Sequence, residues 1–474
     1  MYTEEPQDDY LDAALVTCIQ IHTEEAPGDV LVFLPGQEDI ESLSMLLEEA
    51  LNRIRKEEAR KQANDDGLAP ARQLSMEALV CPIYAALPQE RQLEAFEPAP
   101  PNTRKFVLAT NIAETSITIN GVRYVVDPGF VKTRAYQSNT GMEQLKVVPV
   151  SKAQAQQRAG RAGREAPGTA FRLFTEDKYL DLPKAIIPEI QRVNLVQVVL
   201  QLKVIGINDP GSFDFISPPL TESLVVAMQS LYMLKALDKK GKLTEHGKRM
   251  AQLPLEPAYA HLLLMSADPD FHCTKEVLEA VSCLSADNVL VQPQSPTEAR
   301  AASIEAHKRL AAWEGDLLTM CNVFQAYNKA NGDRGWCRQN FVNHRSLVKA
   351  LDVKDQLSRI LSQRLKVDVQ ASCGDRKHRF LCCWTASLCM NVATRLPVVE
   401  GQKKRGAYRT LVGGKEVYIH PSSSLFGRNP PPKCVLYCEL LITKKQYMKQ
   451  VTAVEQAWLT EYAPEHFRTK VQSG

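Results

Sequence analysis

The sequence predicts a multidomain chain: an α/β domain on a parallel sheet, then a winged-helix segment, an all-α helical region and a C-terminal β-barrel. Three observations carry this. Over the first ~175 residues, short apolar runs alternate with helical stretches, the pattern of βαβ units. Residues 187–372 lose the strand signal and become helix-dominated. From 373 onward β-rich segments recur between turns of Gly, Pro and Ser, as in a small barrel.

Taken in order, DVLVFLP (29–35) is the first buried strand, closed by Pro35-Gly36. An amphipathic stretch follows from Gln37 to about Ala63 and becomes highly charged before a break at Gly67–Pro70. Strand-like LVCPIY, helical PQERQLEAF, and strand-like FVLAT, YVVDPG, KVVPV and TAFRLF complete the α/β pattern. Parallel strands need crossover connections, and the helical stretches between these runs supply them. Further on, LDKKGKLTEHGKRMAQLPL reads as a small winged turn. Val348, Leu351, Leu357 and Leu361 are expected to form one core stripe of a helix. AYRTLVGG, KEVYIHPSS and KCVLYCELLIT are the barrel strands. The expected segments are 1–178, 187–255, 256–372 and 373–474.

At 474 residues the chain has room for roughly three or four domains. Its formal charge of +2 gives no global basic field, but residues 371–474 carry +9 and residues 1–370 carry −7. An anionic partner is therefore expected at the C-terminal quarter. The twelve cysteines contain no CxxC pair, which argues against a zinc site or a disulfide framework and for packing as small apolar residues. MYTEEPQDDY lacks the apolar core of a secretory signal, and no stretch approaches a membrane span, so an intracellular chain without a membrane partner is expected.

Residues 156–164 read QQRAGRAGR: Arg158, Arg161 and Arg164 at intervals of three, separated only by Ala and Gly. If the segment is helical, that spacing keeps the guanidiniums on one side. Such forks match phosphate or carboxylate bidentately, and the small residues between them let a partner approach closely. A disordered Gly/Arg segment is disfavoured, because the motif lies between two strands of a packed domain.

Several stretches in fixed order resemble one family. FLPGQEDIE (33–41), PIYAALPQERQLEAFEPAP (82–100), LATNIAETSITINGVRYVVDPG (108–129) and QQRAGRAGR resemble the second RecA-like domain of DEAH-box RNA helicases. The resemblance continues through PEIQRVNL (188–195), SFDFISPP (212–219), HGKRMAQLPLEP (246–257), GDRGWCRQNFVN (332–343) and YCELLITKKQYMKQVTAVEQAWL (437–459). It is greatest for nucleolar members linked to ribosome biogenesis. The implied layout is a second RecA-like domain, a winged helix, a ratchet-like helical domain and an OB-fold. The implied cofactors are ATP and Mg²⁺, held mainly by a preceding RecA-like domain. The implied partners are single-stranded RNA, bound without sequence preference, and protein activators; the implied location is the nucleus, in the nucleolus.

By position in the motifs, Arg161 and Arg164 resemble the pair that reaches the γ-phosphate, and Gln157 the residue orienting the attacking water. Arg158 is either a further contact or structural. Gly36, Thr110, Asn111 and Ser116 resemble RNA-phosphate contacts, with strand-end capping as the alternative. Phe96 resembles the aromatic that stacks on adenine, or else is a core residue. Asn120 departs from the family's usual Asp, which puts a contact to the nucleotide ribose there in doubt. Residues 132–148 resemble the strand-parting β-hairpin.

A phosphate-cradling GxxxxGK[ST] and the DEAH box are both missing from the sequence, and Ile304-Glu305-Ala306-His307 is read as a chance echo of the latter. The residues at the N-terminus resemble a linker into a second RecA-like domain. Two functions follow: the C-terminal part of an ATP-dependent RNA helicase, inactive as an ATPase alone, or a non-catalytic RNA-binding adaptor that keeps only the rear domains. Lys403, Lys404, Arg405, Arg409, Lys415, Lys444 and Lys445, interleaved with Tyr408, Tyr418 and Tyr447, are expected to bind RNA in the barrel.

Overall fold

A computed structural model describes residues 1–7, 9–64, 76–85, 87, 89–115, 118–137, 142–286, 288–293, 297–397, 406–442 and 445–467. The chain divides into two compact units, Met1–Arg134 with Leu145–Ile187, and Ala135–Gln144 with Pro188–Gly474.

The first unit is built on five parallel strands in the order β2-β3-β1-β4-β7. These are β1 (Asp29–Phe33), β2 (Glu77–Ile83), β3 (Thr103–Ala109), β4 (Val122–Asp127) and β7 (Thr169–Arg172). Helices α1 (Tyr10–Glu24), α2 (Gln37–Asn64), α3 (Gln89–Glu94), α4 (Ile112–Thr115), α5 (Lys152–Ala159) and α6 (Glu176–Asp181) connect or flank them. The run DVLVF is buried throughout because both faces of its sheet are covered. Val30 and Val32 pack toward Ala14, Cys18, Leu43 and Leu47 of α1 and α2, while Leu31 and Phe33 join Ala95, Ala113 and Ala162 on the opposite face. Met1 and Thr3 add a short parallel contact along β7.

KVVPV departs from expectation. It lies in β6 (Met142–Pro149), which pairs with β5 (Phe130–Gln137) as a separate two-stranded sheet. No helix separates these strands to carry the chain back for parallel pairing. The two strands of the expected hairpin thus pair, and residues 138–141 lie outside the described residues.

The second unit starts with α7 (Val196–Val204), α8 (Thr221–Met233) and α9 (Glu245–Met250). The wing is a single bridge, Leu237 to Leu243, closed by Asp238 accepting from the Lys240 and Lys242 amides. Seven further helices follow: α10 (Pro257–Met265), α11 (Thr274–Leu284), α12 (Thr297–Leu310), α13 (Asp316–Lys329), α14 (Arg334–Gln339), α15 (His344–Arg359) and α16 (Lys377–Ser387). The expected stripe on α15 is off by one residue at its start. Leu347, Ala350, Leu357 and Leu361 are buried, whereas Val348 is 40% exposed, because a 3.6-residue period fits the former set.

The C-terminal strands β8 (Val392–Arg395), β9 (Ala407–Thr410), β10 (Glu416–Ile419), β11 (Cys434–Leu436), β12 (Glu439–Ile442), β13 (Gln446–Lys449) and β14 (Thr452–Ala453) form one mixed sheet. Its order is β12-β13-β10-β9-β8-β11-β14, so the described sheet is open, with β12 and β14 at its edges, instead of a closed barrel. One core cluster joins winged-helix residues such as Leu200 and Leu231, helical residues such as Val281 and Leu361, and later residues including Trp384, Leu436 and Leu459. All twelve cysteines are free thiols, eleven of them buried.

Candidate functional site

Helix α5 begins with a capping box: the Gln154 amide donates to Ser151 Oγ at 3.2 Å, and the Ser151 amide donates to Gln154 Oε1 at 3.1 Å. It ends at Ala159 with Gly160 as C-cap. The three arginines therefore do not share one side of a helix. Arg158 closes the last turn, while Arg161 and Arg164 lie beyond it.

Arg158 is 1% exposed. Its Nε donates to Glu114 Oε2 at 3.2 Å, and its Nη1 to Asp127 Oδ1 at 2.7 Å and to the Phe130 carbonyl at 3.1 Å. The guanidinium also lies 4.8 Å over the Phe33 ring. It is a structural residue. Arg161 is half-buried and donates from Nη2 to the Glu114 carbonyl; Arg164 is exposed and donates from Nη1 to Thr118 Oγ1. Two residues, Glu114 and Thr118, thus contact all three arginines. Burial first, and the neighbouring Arg164 charge second, lower the pKa of Arg161, with Glu114 opposing. Two guanidiniums in mutual repulsion present a site that an anion would relieve.

Both border a small cleft lined by Leu31, Ala113, Ile119 and Val122. Gln157 is exposed on α5. Phe96 is 37% exposed, so it is not a core residue and keeps a ring available for stacking. Asn120 is exposed beside Gly121, whose amide donates to Glu165 Oε2 at 3.0 Å.

Gly36, Thr110 and Asn111 lie at the carboxyl ends of adjacent strands, where ligands bind in open parallel sheets. Phe33 of β1 pairs with Ala109 of β3, so Gly36 and Thr110 follow neighbouring strand ends. Gly36 precedes α2; a Cβ there would meet Asp39 Oδ2 at 3.4 Å and Lys132 Nζ at 3.5 Å, ordinary contact distances. Thr110 is half-buried and Asn111 exposed; their carbonyls accept from the Ala113 and Glu114 amides. Ser116 lies outside the described residues.

Glu114, Thr118 and Asp127 were not singled out from the sequence. A buried carboxylate beside a basic motif is the signal that could have found Glu114 and Asp127, but their burial is a tertiary property. In the C-terminal sheet Tyr408 is 1% exposed, with its hydroxyl donating to the Pro432 carbonyl at 2.9 Å, so it is core and cannot stack on a base. Tyr418 and Tyr447 do pair across β10 and β13, ring centroids 6.4 Å apart, with Lys445 Nζ 4.8 Å over Tyr418. Residues 403–405 and 444 lie outside the described residues. Among the described residues, no group of three His, Cys, Asp or Glu is placed to hold a metal ion.

A parallel α/β domain carrying this arginine motif, followed by winged-helix, helical and OB-type segments, defines the C-terminal assembly of a helicase. The comparisons agree on each part. Residues 12–166 match the helicase conserved C-terminal domain, 227–255 and 256–320 the winged-helix and ratchet-like parts of the helicase-associated domain, and 382–466 the oligonucleotide/oligosaccharide-binding fold. The chain is 42% identical, over 99% of its length, to the Arabidopsis thaliana pre-mRNA-splicing factor ATP-dependent RNA helicase DEAH10, of which it covers 63%. It is 41% identical over 98% of its length to the human probable ATP-dependent RNA helicase DHX35, covering 62%. It is also 41% identical over 99% to the Schizosaccharomyces pombe pre-mRNA-splicing factor ATP-dependent RNA helicase prp22, covering 37%. The chain belongs to the DEAH-box RNA helicases and corresponds to their C-terminal part. It spans less than two thirds of each of these relatives.

Proposed function

We propose that this chain is the C-terminal part of an ATP-dependent RNA helicase that couples ATP hydrolysis to RNA translocation, unwinding or RNP remodelling in the nucleus. The observation that carries this reading is the division of labour in the arginine motif. Arg158 is buried against Glu114 and Asp127, whereas Arg161 and Arg164 both line one cleft.

ATP would supply the transferable phosphoryl group, and Mg²⁺, held mainly by a preceding domain, would neutralise charge on it. This chain's contribution is electrostatic and positional. Arg161 and Arg164 take up the negative charge that spreads over the transferred oxygens, and Gln157 orients the attacking water. Phe96 offers a ring to the base, and Asn120, where the family usually has Asp, offers the ribose an amide without the charge. On the strand-end face, Gly36, Thr110 and Asn111 contact RNA phosphates and so fix register without reading sequence, a role that the sequence resemblance extends to Ser116.

The ribosome-biogenesis and nucleolar setting rests on the sequence resemblance alone. The names of two relatives favour pre-mRNA splicing as the RNP, and the nucleus is common to both. The adaptor reading has no use for two arginines brought together at one cleft.

The test is made on this chain extended upstream by a phosphate-loop domain. Arg164→Lys is expected to lose RNA-stimulated ATPase nearly as fully as Arg164→Ala, at least about a hundred-fold, because lysine keeps the charge without the fork. A lysine variant close to full kcat would overturn the geometric role of Arg164.

A further inference from the structure

We propose that Trp313 is a base-stacking platform for single-stranded RNA, a contact separate from the strand-end face; this rests on the reading of the chain as an RNA-binding helicase part. Trp313 is 71% exposed, unusual for so large an apolar ring. Its surroundings are built, not loose. Arg428 stacks on it with the guanidinium 3.4 Å from the ring centroid and donates from Nη1 to the Trp313 carbonyl. The backbone just after it is fixed at three points. The Glu314 carbonyl accepts from the Ala453 amide at 2.7 Å. Gly315 lies so close to β14 that a Cβ would stand 2.5 Å from the Val451 carbonyl oxygen. The buried Asp316 carboxylate accepts from the Ser424 amide, the Ser424 hydroxyl and the Val451 amide, each at 2.7 Å.

A preorganised ring loses little entropy on binding. With Arg428 against one face of the indole, the other face is the surface left for a ligand. What fits there follows from the charge nearby. Glu314, the residue after Trp313, is paired with Lys377 at 3.5 Å, within an exposed run that also holds Arg376 and His378. Cations flanking an exposed aromatic are the combination that holds a phosphate backbone while stacking its bases. A protein-docking anchor would instead sit within an apolar patch; here the ring's own contact is the Arg428 guanidinium, and the next residue, Glu314, is ion-paired with Lys377.

The test uses the full 474-residue chain, an oligouridylate of about twelve nucleotides, and an abasic oligoribonucleotide of the same length. Trp384 is fully buried and Trp336 and Trp458 partly so, which leaves Trp313 as the accessible reporter. The oligouridylate is expected to quench tryptophan fluorescence and to bind about ten-fold more tightly than the abasic strand. Trp313→Ala is expected to remove the quenching and to bind both strands equally, with an unchanged circular-dichroism spectrum. A variant that keeps the wild-type preference for the base-bearing strand would overturn the platform while leaving RNA binding intact. Wild-type chain that binds neither strand at low salt would overturn the RNA-binding reading, and the platform with it.

Discussion

Arg158 and Arg164 belong to one motif and do opposite work. Arg158 lies between two buried carboxylates, and its removal strands both. Arg158→Ala is expected to destabilise the first unit by ~3–5 kcal/mol, the cost of leaving buried charge uncompensated. Arg164→Ala, at an exposed position, is expected to change stability by less than ~0.5 kcal/mol. Urea midpoints of the two variants check this; equal midpoints would mean that the buried cluster is not what holds α5 to β4. Gly36→Ala separates stability from binding in the same way. The space around Gly36 accepts a methyl group, so the fold is expected to be unaffected while RNA affinity falls, as read by filter binding at low salt. The sequence makes the three arginines look equivalent because their spacing is regular. Their inequivalence arises from where Glu114 and Asp127 fold, which no local pattern encodes.

Helix and strand boundaries were legible where chemistry is local. Ser151 and Gln154 spell the start of α5, and the apolar run of β1 spells a strand covered on both faces. What was not legible was Gly160 ending the helix inside the motif, since glycine is tolerated within helices as well as after them. Tyr408 was misassigned for a related reason: strand alternation places one face inward, but the sequence alone does not say which. Two predictions belong at this scale. Across α9 and α10, His246 Nε2 and His261 Nδ1 are 2.7 Å apart. Burial first, then His246 and Lys235, push the His261 pKa down to about 3. The folded value lies below the ordinary 6.5, so the unfolded chain takes up the proton first. Stability present above pH 6.5 is therefore lost as pH falls toward 3, at up to ~1.4 kcal/mol per pH unit. Urea midpoints at pH 7.5 and 5.5 should show the drop, and His261→Gln should flatten it. At the start of α13, Gly315 has φ +128 and no room for a Cβ, so Gly315→Ala is expected to cost ~1–3 kcal/mol, visible as a lowered Tm of the second unit.

The chain as a whole is expected to hydrolyse no ATP. Its Gly-Lys pairs are Gly241-Lys242 in the wing, Gly247-Lys248 in α9 and Gly414-Lys415 in a turn, and none belongs to a phosphate loop. RNA-stimulated phosphate release by the 474-residue protein, abolished by Arg161→Ala, would refute this. Whole-chain features were the least legible in the sequence. Charge asymmetry and motif order gave the domain succession, but not that winged-helix, helical and C-terminal segments share a core. That core makes a cut after residue 370 an unsound way to isolate the basic end, because it would strip Trp384, Leu436 and Leu459 from Leu200 and Val281. The same cluster bears on descent. A recombination event that exchanged only the C-terminal fold between paralogous genes would bring in a foreign facet for a cavity shaped by residues nearly two hundred positions upstream. Segments bound in this way are expected to be inherited as a block and not traded as modules.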